Sequence, residues 1–219
     1  MRRPELRQII VTALLLMGFS VMGVGLVSLT QTLTAERIAY NEKAALMRKL
    51  TQIVPEQAID NDITRDTLTL EPASLLGTDE PSEAYIGRRN GEVKALIFSP
   101  VAPDGYSGDI HLLVGVYTDG TIAGVRVVKH RETPGLGDYI EARKSDWILG
   151  FENRSLTNPE EEGWRVKRDG GVFDQFTGAT ITPRAVVKAV HNALLYFKAN
   201  REKLLERARQ SAAEDTADE

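Results

Sequence analysis

Hydrophobic and polar positions follow different rhythms in successive parts of the chain. From Ile9 to Leu29, "IIVTALLLMGFSVMGVGLVSL", there is no charge at all, and Thr12, Ser20 and Ser28 carry the only hydroxyls. A helix rising roughly 1.5 Å per residue over such a length crosses a hydrocarbon core roughly 30 Å thick. Residues 34–53 carry apolar or small side chains at Ala35, Ile38, Ala39, Ala45, Leu46, Leu50 and Ile53, which approximates helical spacing, and Pro55 ends the run. The rhythm then shortens to strands. "DTLTL" alternates at 66–70. Residues 83–100 form two short runs about Asn90-Gly91, and 109–130 repeat the arrangement about Asp119-Gly120, both hairpin signals. A short helix is predicted over 137–149, a last strand over 163–168, and a long helix from Thr182-Pro183 to about Arg207. The long helix buries Val186, Val187, Val190, Leu194, Phe197 and Leu204. The predicted fold class is α+β: an antiparallel sheet flanked by helices, on a single N-terminal transmembrane helix.

The apolar run near the N-terminus exceeds the roughly 7–15 residues of a cleaved signal, and no Ala-x-Ala follows it. It reads as an uncleaved anchor, with Gly18, Gly23 and Gly25 able to admit another membrane helix. Arg2, Arg3 and Arg7 precede it against Glu5 alone, which places the N-terminus in the cytoplasm and the rest outside it, in the periplasm of a Gram-negative inner membrane. The expected organisation is a cytoplasmic N-terminus (1–8), an anchor (9–29), a helical stalk (30–55), a periplasmic domain (56–208) and an acidic, disordered tail (209–219). A net charge of −4 over 219 residues argues against nucleic-acid binding. The absence of cysteine excludes disulfides, thiolate metal sites and a thiol nucleophile. His111, His130 and His191 stand far apart without a carboxylate pattern, so no metal site is expected.

Three stretches could carry chemistry. In "FDQFTGATITPRAVV", 173–187, Thr182 suits an N-cap and Pro183 the first helical position. The helix then begins close to Thr180, and a helix N-terminus favours a phosphate. Gly178 and Ala179 leave the backbone uncovered there, although the same letters also suit a plain loop and cap. In "HRETPGLGDYIEARKSDW", 130–147, Pro134, Gly135 and Gly137 make a tight loop that could approach a planar ligand. Leu136 either lies exposed against that ligand or tucks into the core. Asp138 and Glu141 read as solvated, and Glu132 as a surface partner of Arg131 or Arg143. Trp147 and Trp164 read as core or interface residues. The third stretch, "APDGYSGDI" at 102–110, is by itself a turn into a strand.

Taken together, in this order and behind a membrane span, the segments "APDGYSG", "ETPGLGD" and "DGG–FDQFTGATITPRAVV" resemble the FMN-binding domain of RnfG, a component of the Rnf (Rsx) electron-transport complex. NqrC, its counterpart in the sodium-translocating NADH:quinone reductase, is a more distant likeness. The resemblance runs from the anchor to about Lys198. It implies FMN joined through its phosphate to Thr180 by a flavin transferase that uses FAD and a divalent metal. Asp174, Thr177, Gly178 and Ala179 belong to the motif that enzyme reads. The resemblance further implies that Thr133, Gly135 and Leu136 lie against the flavin ring and that Tyr106 and Ser107 help frame it. No catalytic constellation is expected in the chain itself. The implied role is a redox subunit, without substrate turnover of its own, of an ion-translocating ferredoxin:NAD oxidoreductase, with other membrane and iron–sulfur subunits as partners. The alternative is a membrane-tethered binding or scaffold module without flavin.

Overall fold

The computed structural model describes residues 3–215, with side chains described from Arg7 to Ser211. It divides into two compact units, residues 1–45 and 46–219. The first is the greater part of helix α1 (Arg3–Ile53). One stretch of this helix is long and apolar enough to cross a membrane, with a mean hydropathy of 2.4 over its most apolar window. Leu14, Leu16, Phe19, Val24 and Val27 are exposed along it, as suits a helix whose solvent is lipid. The apolar stripe expected over 34–53 is not buried along its whole length: Ala35, Ile38 and Ala39 are exposed, and burial is full only at Leu50 and Ile53.

The second unit is built on one antiparallel sheet. Its strands are β1 (Thr67–Leu70), β2 (Ser82–Arg89), β3 (Glu92–Phe98), β4 (Val101–Ala102), β5 (Ile110–Tyr117) and β6 (Ile122–Lys129). They lie in the order β1-β2-β3-β5, with β4 continuing past β3 along the same edge of β5 and β6 on its other edge. Asn90 and Gly91 both have positive φ, 53° and 76°, the conformation a two-residue hairpin with the twist of its strands requires.

Alternation then sorts the strands onto two faces. Leu96, Phe98, Leu112, Val114 and Val116 point to one, where Val186, Val190, Leu194 and Phe197 of helix α2 (Ile181–Asp215) cover them. Phe98 meets Tyr196 edge-on, with ring centroids 5.9 Å apart. Ala95, Ile97 and Leu113 point to the other face and pack with Leu50, Ile53 and Val54 at the end of α1. Gly115 and Gly124 sit opposite each other in register and form a hollow under Ile53; a Cβ at Gly124 would lie 3.2 Å from the Ile53 Cα. The guanidinium of the buried Arg126 donates to the Gln52 carbonyl (3.0 Å), which satisfies one of the orphan acceptors at that helix end.

Two expected elements take other forms. Residues 137–149 form no α-helix but two 3-10 turns, Gly137–Ile140 and Asp146–Phe151. The strand expected at 163–168 is two further turns, Glu161–Gly163 and Lys167–Asp169, with a single parallel bridge between Val166 and Phe173. Burial here is supplied by large rings rather than ladders: Phe151 stacks on Phe173 at 4.5 Å, and Trp164 lies over His191 at 5.2 Å. Helix α2 continues to Asp215, into the stretch whose composition predicts disorder. The remainder of that predicted tail, 216–219, lies outside the described residues, as do positions 1 and 2 of the predicted cytoplasmic segment.

Candidate functional site

The irregular segments between β6 and α2 meet the loop before β5 at the start of α2. That helix begins at Ile181, so Thr180 is the residue immediately before it and Pro183 falls in the first turn, where a missing N–H costs nothing. This corrects the expectation that Thr182 is the N-cap. Its hydroxyl is fully buried and turned sideways, donating to Oε2 of Glu132. Thr180 is half-buried, and its hydroxyl has no hydrogen-bond partner among the described residues.

Glu132 is the residue whose role the sequence misstates. It is 4 % exposed rather than a surface partner of Arg131 or Arg143. While Oε2 accepts from Thr182, Oε1 accepts from the backbone N–H of Ser107 at 2.9 Å. One carboxylate therefore joins the loop before β5, its own loop and the first turn of α2. Two glycines make room for it: a Cβ at Gly137 would stand 2.9 Å from Oε2, and one at Gly105 would stand 3.1 Å from Oε1. The backbone N–H of Glu132 donates to Nδ1 of His130 (3.0 Å), which leaves the proton of a neutral ring on Nε2, 3.1 Å from Glu141.

The loop at 133–137 curls on itself. The Thr133 carbonyl accepts from the N–H groups of both Leu136 and Gly137 at 3.1 Å, and Gly135 has φ of 76°. The N–H of Gly135 donates to Oδ1 of Asp138 at 2.8 Å. Asp138 is buried, contrary to its solvated reading, and its other oxygen accepts from Lys144. The hydrogen bond from Lys144 holds the Asp138 carboxyl below its ordinary range, and the bond from Arg143 does the same for Glu141, which is mostly buried as well. Leu136 resolves its two readings: it is 41 % exposed and lies across Gly178, where a Cβ would be 3.2 Å from its Cδ2.

Residues 176–179 form a turn closed by the Ala179 N–H on the Phe176 carbonyl (3.2 Å), and Gly178 at φ of 82° supplies the positive dihedral. The ring of Phe176 meets Trp147 at 5.1 Å and Tyr139 at 5.8 Å. The indole N–H of Trp147 donates to the carbonyl of Asp174 (2.7 Å), whose exposed carboxylate pairs with Lys167 at 2.7 Å. Thr177 and Thr133 are exposed. Tyr106 is 67 % exposed and joins the group through its neighbour Ser107.

The structure thus brings together Ser107, Thr133, Gly135, Leu136, Thr177, Gly178, Ala179 and Thr180, with Asp174 held at the margin by Trp147. Sequence reading assigns Glu132 the wrong role, and Trp147, a core-packed residue as read from the sequence, has the further contact to Asp174 that the sequence does not signal. Neither carries a local signal, because their partners lie 50 and 27 residues further along the chain.

This geometry accommodates FMN on the grounds of its own features. A hydroxyl without a partner among the described residues precedes a long helix, whose dipole favours a phosphate beside it. Exposed apolar side chains, Leu136 and Ile181, flank the positive-φ turn where an aromatic ring can lie close to backbone.

Comparison with known proteins agrees. The family model of the FMN-binding domain matches residues 105–195, and that of the RnfG N-terminal region matches residues 1–53. The G component of the ion-translocating oxidoreductase complex of Pseudomonas aeruginosa is 52 % identical over 204 residues, covering 93 % of this chain and 94 % of that protein. The proteins of the same name from Shewanella loihica (47 % over 201 residues, 92 % and 95 % covered) and Vibrio cholerae (46 % over 191 residues, 87 % and 91 % covered) are similar over almost as much. Among solved structures, the crystal structure of Shewanella oneidensis NqrC aligns with a TM-score of 0.44 at 23 % identity, over 63 % of this chain and 66 % of that one.

Proposed function

The chain belongs to the RnfG family of ion-translocating oxidoreductase complex components, with an FMN-binding domain behind a helix able to cross a membrane, and from that premise we propose that Thr180 carries FMN as a phosphoester. In this reading the protein is a membrane-anchored redox subunit that relays electrons inside an ion-translocating ferredoxin:NAD oxidoreductase complex. Its soluble domain lies in the periplasm and its N-terminus in the cytoplasm. Other membrane and iron–sulfur subunits are its partners, and a flavin transferase is its maturation enzyme.

The observation that carries the proposal is the position of Thr180: a hydroxyl without a partner among the described residues, one residue before α2. Transfer from FAD would form the bond between Thr180 Oγ1 and the phosphorus of the FMN half, break the diphosphate, release AMP and give up the hydroxyl proton. The phosphodiester keeps one negative charge beside the positive end of the helix. Tethering makes later binding of the ring intramolecular, so the cofactor is not lost by dilution. The flavin would supply the electron chemistry when bound; Leu136 and the turn at 176–179 would orient it, and Thr133 and Tyr106, both exposed, would border the ring.

The test is intact mass, with fluorescence of the denatured gel band, on protein co-expressed with the transferase, beside Thr180→Ala. Wild type should fluoresce and gain the mass of FMN less one water, and the variant should do neither. A dark wild type, produced with a transferase proven active on another protein, would instead favour a binding or scaffold module without flavin.

A further inference from the structure

We propose that Glu132 is a positioning residue: a buried clip that holds three separate segments in the one arrangement that presents Thr180 to flavin. The inference rests on the reading of Thr180 as acceptor and concerns a residue outside the acceptor motif. Both carboxylate oxygens are used and each serves a different segment: Oε1 takes the Ser107 N–H at 2.9 Å, and Oε2 takes the Thr182 hydroxyl. No cation pairs with Glu132 among the described residues, and the donors to its two oxygens are both neutral groups. Burying a carboxylate without an ion pair is costly, so its presence here points to a geometric task that an apolar residue would not perform.

What it does follows from where its partners lead. Thr182 is two residues from Thr180. Gly137, packed against Oε2, follows Leu136, the residue lying across Gly178. Ser107 follows Tyr106. A shift of the carboxylate would therefore move the acceptor, the ring-facing leucine and the framing loop relative to one another. No strand ladder would resist it, because none of the three segments belongs to a strand: one is the first turn of α2, and another runs only into the short 3-10 turn that begins at Gly137.

The experiment uses the full-length protein in detergent. It measures the rate of flavin loading by the transferase and amide hydrogen exchange, the latter also in a Thr180→Ala background that takes no flavin. Glu132→Ala should slow loading by about 10²-fold, the scale of a misplacement near 1 Å. It should raise exchange at 105–108 and 133–137 while the amides of β3 and β5 stay protected. Glu132→Gln, whose oxygen can accept from Ser107 and whose amide can donate to the Thr182 oxygen, should recover most of both. If Glu132→Ala does not fold, Thr182→Val removes one bond alone and should give a weaker form of the same pattern.

Loading at the wild-type rate by folded Glu132→Ala would overturn the proposal. So would exchange that rises evenly through sheet and loops, or a Gln variant no better than Ala. Wild type that never acquires flavin would instead remove Thr180 as acceptor, leaving the exchange pattern to decide on Glu132 by itself.

Discussion

The sheet and the segments that follow it solve the same problem in opposite ways. From β2 to β6 the backbone is satisfied mainly through ladders, and most side chains fill the two faces. From His130 to Thr180 backbone bonds close only turns and isolated bridges, and much of the longer-range order comes from individual side chains, such as Glu132 on Thr182, Asp138 on Gly135, Trp147 on Asp174 and Phe151 on Phe173. The contrast teaches where each kind of damage should appear. In the first region a lost side chain removes buried area and hence stability. In the second it releases a loop from its place while the sheet survives, so the cofactor site should fail before the fold does.

The largest effect to expect is in the sheet. Phe98→Ala should lower stability by about 3–5 kcal/mol, the usual cost of emptying a buried phenyl site, read from the urea midpoint. The FMN content of the molecules that remain folded should not change. A fall in flavin per folded molecule would break the separation between the regions.

Gly178→Val reverses the pattern. A β-branched residue at φ of 82° is strained by about 1–2 kcal/mol, and its side chain meets Leu136. Thermal melting should fall modestly, while fluorescence of the denatured band, the measure of attached flavin, should drop far more. Equal losses in both would remove the distinction.

The smallest effect is electrostatic and sits where the regions touch. Burial lowers the pKa of His191 beneath its ordinary 6.5, and its ring stacks on Trp164. With the folded value depressed, the unfolded chain binds the proton first. Stability is therefore complete above 6.5 and declines as pH falls through the window between the unfolded and folded values. Urea midpoints across that window should show the slope, and His191→Phe, which keeps the stack, should flatten this part of it.

Legibility in the sequence follows the same division. Asn90-Gly91 and Asp119-Gly120 announce their hairpins, and the apolar spacing of Val186, Val190, Leu194 and Phe197 announces the buried side of α2, because each signal is local and periodic. Thr180 and the glycines of both loops were legible as a motif. Glu132, however, reads as one more charge beside Arg131, and "GWRVKR" as a strand. What decides both is a partner far along the chain: Thr182 for the glutamate, and the aromatic cluster of Phe151, Trp164 and Phe173 for the segment. The short helix expected at 137–149 gives way for a local reason instead. Asp138 is drawn inward to Gly135 and Lys144 instead of lying on a solvated helical face.

The bonds of Glu132 also impose an order in time. Ser107 and Glu132 leave the ribosome well before Thr182, at about 5–20 residues per second, and the second oxygen has no partner until α2 packs on the sheet. The pocket is therefore among the last parts of the domain to close. An enzyme that modifies Thr180 only in its finished setting would be inspecting the whole chain each time it acts, and a truncated or unfolded copy would leave that inspection unmarked.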